Sequence, residues 1–325
     1  MSQRPTANSL FRLRNDLQRR LAGDVECPLG VYPSAVGVRL RQGFQSAFVM
    51  GQPGMDDHCE YRILLGNDRL FDVLTRMFVE FLPETVFGLF EEFSYDAWRE
   101  TDTWASGAPV SKQRFLQAWE LFGRFFAEDG RCGFGARADE PRVEVFLEEH
   151  GAVYIACGFE LRERVEGMLN GLGLPELEEV LGIENHDHRH EDVLDVSDGS
   201  LMDDLDIKFS VIESLGMALT NGDEMGPVGE PQPFWIYLEL DLTFDPAAEG
   251  QRAYISLAVT AHDHAEARSL AEARLLERFP SALVARYLQI YRIGDSDISA
   301  EIAPRRRDAI GSVGVWFESS PEYWA

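Results

Sequence analysis

Lysine is almost missing from this 325-residue chain: Lys112 and Lys208 are the only two, and arginine carries nearly all the basic charge. Against 30 basic side chains stand 56 acidic ones, a formal charge of −26. A surface of that sign is repelled by phosphate backbones, so no direct nucleic-acid binding is expected. Cysteine is sparse too. Cys27, Cys59, Cys132 and Cys157 are widely spaced, with no C-x-x-C, which excludes a zinc ribbon and a thioredoxin-like dithiol. In a chain of this size they read as reduced core thiols. No apolar run approaches the roughly 18 residues of a membrane span. The N-terminus lacks the apolar stretch of a secretory signal. The expected location is the cytoplasm, with no membrane contact. G-x-S-x-G, the P-loop, G-x-G-x-x-G after a strand and H-E-x-x-H are also absent.

What is present is a globular composition, 45% hydrophobic and 11% aromatic, with 21 Phe. The length suggests two domains. Residues 1–22 place Leu10, Leu13, Leu17 and Leu21 on one helical stripe beside five arginines and Asp16, predicting an amphipathic basic helix docked on the acidic body. Residues 23–183 read as an α+β domain. Two strands are expected over 35–50, another over 61–65, a helix from Asp68 to Leu82, and a second helix after Pro83 from about Glu84. Ser111 opens a helix whose Phe115, Leu116, Trp119, Phe122, Phe125 and Phe126 recur at core spacing. Residues 142–148 and 152–157 form a hairpin around Glu149-His150-Gly151, followed by helices over 160–169 and 176–181. Strands and helices in clumps favour α+β over a doubly wound sheet.

Residues 184–230 carry thirteen acidic side chains against Arg189 and Lys208, so 184–232 reads as an acidic interdomain connection, interrupted by one helix over 207–219. Residues 233–325 alternate apolar and polar positions over 234–244 and 253–261, then give a helix and a strand. The expectation is a smaller C-terminal α/β sandwich with ferredoxin-like β-β-α-β order and an added edge strand over 312–318.

The sharpest local signal is Asn185-His186-Asp187-His188-Arg189-His190-Glu191-Asp192. In an extended stretch the alternating His186, His188 and His190 project to one side, where imidazoles beside carboxylates suit a divalent transition metal such as zinc. His186, His188, His190 and Asp192 are the candidate ligands. His188, His190 and Asp192 partly resemble the H-x-H-x-D-H signature of metallo-β-lactamase-type hydrolases. Val193 stands where that signature ends in His, and the later well-separated histidines are missing, so the chain is not assigned to that family. Two further polar knots are His262-Asp263-His264, with Asp263 as a helix cap, and Asp56-Asp57-His58-Cys59-Glu60, whose adjacent His and Cys point to opposite faces of a strand.

Two functions are consistent with these readings. The first is an acidic protein that engages a basic protein partner (an adaptor, inhibitor or immunity-like protein) without catalysis, its charge steering encounter. The alternative is a metal-dependent hydrolase built on the cluster at 186–192.

Overall fold

The computed structural model describes residues 10–34, 37–51, 57–93, 101–195, 201–220, 231–242, 252–262, 264–293, 304–305 and 312–324. Helices and sheets are both present, as an α+β chain requires. The chain divides into two compact units, Met1–Ser94 with Trp98–Thr220, and Tyr95–Ala97 with Asn221–Ala325.

The first unit carries β1 (Val31–Pro33), β2 (Gly43–Val49), β3 (His58–Leu64), α1 (Asn67–Phe81), β4 (Thr85–Phe93) and β5 (Thr101–Ser106). Then come α2 (Lys112–Asp129), β6 (Cys132–Asp139), β7 (Arg142–Leu147), β8 (Val153–Cys157), α3 (Phe159–Gly171), β9 (His188–His190), α4 (Asp204–Leu215) and β10 (Met217–Leu219). An antiparallel sheet runs in the order β10-β5-β4-β6-β7-β8-β3-β2. Period-2 alternation divides its side chains. Phe90, Phe134, Leu147, Val153 and Ile63 line up across the strands and are buried, while Arg62, Arg137, Glu144 and Tyr154 occupy the opposite face.

Helices cover the apolar face. Ser111 caps α2 by accepting from the Arg114 amide at 3.2 Å, and Gly130 ends the helix at φ 70°. Its Phe115 and Phe126 stack on Phe134 of β6 at centroid distances of 5.2 and 4.9 Å, and Phe78 of α1 packs edge-on to Phe115 at 5.0 Å. The aromatic stripe is therefore core, each ring contributing about 1.5–3 kcal/mol by burial. α3 lies over β3 and β8, where Tyr61 donates to Glu166 at 3.3 Å.

Four expected elements take another form. Residues 11–20 are not helical. Leu13 bridges Leu194, the Arg14 amide donates to the Val193 carbonyl at 2.8 Å, and the Asp195 amide donates to Arg12 at 2.8 Å. An isolated helix of about 14 residues is marginal in water, so long-range pairing prevails. Two of the arginines still reach distant acids: Arg19 holds Glu128 at 2.7 Å and Arg12 reaches Asp195 at 3.5 Å. The helix expected from Glu84 is strand β4, because Val86, Gly88 and Phe90 alternate inward against β6. Of the two strands expected over 35–50, only β2 forms within 37–50. Residues 176–181 are not helical: Glu176 bridges Phe44, and the Leu177 amide donates to the Phe44 carbonyl at 2.7 Å.

The acidic stretch up to Thr220 belongs to the first unit rather than bridging two. Val193, Leu194, Leu205, Ile207, Val211, Ile212 and Leu215 are all buried, and α4 packs on α2. Residues 221–230 lie outside the described residues.

The second unit is a sheet in the order β13-β11-β12-β14, formed by β11 (Gln232–Asp241), β12 (Arg252–Ala261), β13 (Leu283–Arg292) and β14 (Gly314–Glu318). A short β15 (Glu322–Trp324) also pairs with β12, and all pairings are antiparallel. Helix α5 (His264–Arg278) packs on the sheet and buries Ala267, Ala271 and Leu275, one residue per turn.

Candidate metal centre

β9 is extended, so His188 and His190 point the same way while Arg189 turns to the other side. There its guanidinium lies 4.3 Å from the Tyr32 ring centre. β9 is fixed by pairing with β1, His188 opposite Pro33 and His190 opposite Val31. The flanks are pinned as well: the Ser34 amide donates to Asp187 at 2.8 Å and the Glu191 amide donates to Gly30 at 2.9 Å.

The third imidazole comes from the β7–β8 hairpin. His150 is the only described non-glycine residue at positive φ, 68°, and Gly151 follows at 89°. Left-handed backbone is uncommon for residues with a Cβ, and such positions gather at functional sites. The His150 amide donates to the Gly130 carbonyl at 3.0 Å, anchoring the hairpin to the end of α2. Gly130 must be glycine at that junction, since a Cβ there would lie 2.3 Å from Cγ2 of Val31.

The His150 Nε2 atom lies 2.9 Å from His188 Nε2 and 3.2 Å from His190 Nε2. The three rings are grouped with centroids 4.5, 5.0 and 5.1 Å apart. His188 Nδ1 sits 2.8 Å from the His186 carbonyl. A carbonyl only accepts, so Nδ1 carries the proton and Nε2 presents its lone pair to the cluster. That backbone anchor is how metal-bound imidazoles are commonly oriented. Tetrahedral sites with metal–nitrogen bonds of about 2.0–2.1 Å place neighbouring ligand nitrogens about 3.3 Å apart, close to the spacing found.

Electrostatics favour the neutral form of His150 and His190. Burial lowers His150 to about 3, reinforced by His190, His188 and Arg62. Burial and then His188 lower His190 to about 4. Neutral imidazole is the form that binds metal.

Of the four residues singled out in sequence, His188 and His190 enter this group. His186 supplies its backbone carbonyl to His188 rather than its ring to the cluster. Asp192 is exposed and pairs with Arg131 at 2.7 Å. His150, 6% exposed, is the member that sequence reasoning placed only in a turn. Elsewhere His58 pairs with Glu60 at 3.1 Å, two residues along β3. His262 bonds Glu266 through ring and amide, at 2.7 Å each. Asp56, Asp263 and the His264 side chain lie outside the described residues.

His150 also forms part of the wall of a cavity of about 480 Å³ on the sheet face that carries Arg62, Arg137, Glu144 and Tyr154. Arg62, Glu91, Glu144, Glu148 and Tyr154 line it. Arg62 binds Glu148 at 3.3 Å and also pairs with Glu184. Burial raises Glu144 and Glu148, and raises Glu149 to about 7 with help from Glu91, Glu148 and Glu184.

No protein-family model, curated protein or solved structure matches this chain. Among the described residues no helix is long and apolar enough to cross a membrane.

Proposed function

We propose that this chain binds one divalent transition-metal ion through His150, His188 and His190, and that the adjoining cavity gives a small molecule access to the remaining coordination position. The observation that carries this reading is the convergence of three Nε2 atoms, at 2.9 and 3.2 Å, from two distant segments. Three imidazoles without a thiolate suit zinc, nickel or iron rather than calcium or magnesium. A three-ligand set leaves a position for water, whose proton such an ion loosens enough to make a nucleophile near neutral pH. The metal-dependent hydrolase read from residues 186–192 is thus proposed with a different ligand set, His150 replacing His186 and Asp192.

Metal analysis of protein purified without chelators tests it. About one equivalent of zinc or a similar ion is expected, falling below about a tenth in His188→Ala and His190→Ala and unchanged in His186→Ala. Substoichiometric metal after incubation with zinc, or full loading in the His188 and His190 variants, would sink the proposal.

A second reading, capture of a basic protein partner, is favoured by the charge of −26. It is compatible with the first, because it concerns the surface and not the histidine cluster.

A further inference from the structure

Cys59 and Cys157 are far apart in sequence, yet β3 and β8 pair antiparallel with these two residues directly opposite each other. Directly opposed residues share one face of the sheet and hold their Cα atoms about 4.5 or 5.5 Å apart. Both spacings fall inside the 4.4–6.8 Å window, roughly, that a disulfide spans. The two side chains sit on the face covered by α3, 4% and 0% exposed, and both thiols are free in this structure. Cys27 and Cys132 are not in this register; Cys132 lies on β6, opposite Glu92.

We infer that Cys59 and Cys157 are a reversible oxidation site, where a disulfide cross-links β3 to β8. Each thiol gives up its hydrogen and one Sγ–Sγ bond forms. The two protons and two electrons pass to a small disulfide oxidant such as oxidised glutathione, whose own bond breaks to give two thiols. Burial withholds the pair from oxidants in the folded state, so the bond forms while α3 is undocked or during folding. Once made, it closes a loop of roughly 100 residues, which removes more freedom from the unfolded chain than a short loop does. The cross-link thereby raises the resistance of the first unit to unfolding without touching the histidine cluster.

The full chain is denatured, refolded in a glutathione redox buffer, alkylated and mapped by mass spectrometry. A single peptide pair joining Cys59 to Cys157 is expected, with Cys27 and Cys132 alkylated. The oxidised protein should melt at a higher temperature than the reduced one, and Cys157→Ser should abolish that difference. Cys59 and Cys157 both alkylated after refolding, or either linked to Cys27 or Cys132 instead, overturns the inference. The mapping uses the unaltered chain, so its outcome does not depend on whether the serine variant folds.

Discussion

Asp204 opens α4, with Asp203 as the capping residue, and its carboxyl is pushed up to about 6 from an ordinary 3.8. Burial is the main cause; Arg131 opposes it, while Asp203, Asp129 and Glu92 add to it. The folded state therefore keeps a proton that the unfolded chain releases. The stability linked to Asp204 is complete below pH 3.8 and is lost as pH rises through 6. Asp204→Asn should accordingly stabilise the protein at pH 7.5 by about 1–2 kcal/mol, after allowing for the lost carboxylate at a helix start. The gain should vanish by about pH 4. Melting curves across that range check it, and a gain that is the same at both ends would refute the burial argument. His150 shows the other face of residue-scale reasoning. Nothing in Glu149-His150-Gly151 as a string distinguishes a turn histidine from a ligand, because its partners lie some forty residues away.

At the scale of elements, α4 is joined to β4 by Lys208 and Glu92, whose side chains are each 10% exposed and form an ion pair. The ammonium also lies 5.5 Å from the Trp104 ring centre on β5. Removing one partner of a buried pair strands the other charge, at a cost of about 3–5 kcal/mol. Lys208→Met should show that loss in urea unfolding, and Lys208→Met with Glu92→Leu should recover most of it. A single variant that loses under about 1 kcal/mol would mean that water reaches the pair. The elements legible in sequence are those with a strong pattern of their own: α2 with its aromatic stripe, the β7–β8 hairpin, and β11 and β12 with their partly alternating apolar runs. β4 is not legible in this way, because Pro83 marks where α1 stops and leaves the conformation beyond it open. Residues 11–20 escape a local reading because their pairing partners at 193–195 are remote.

For the whole molecule, the formal net charge is −26. Association with a basic partner driven by that charge should weaken steeply with ionic strength, through a slower on-rate first. Binding kinetics measured from about 50 to 500 mM salt provide the check, and an affinity indifferent to salt would remove the electrostatic basis. The sequence by itself determined the mixed helix and strand content, the net charge and the parity that puts His188 and His190 on one side of a strand. Each of these depends on composition or on a period of two or 3.6 residues, which a string displays directly. Tertiary structure alone decided that the acidic stretch up to Thr220 falls in the first unit, that His150 meets His188 and His190, and that Cys59 faces Cys157. Those outcomes depend on sheet order and register, and register is set by packing among segments far apart in the chain.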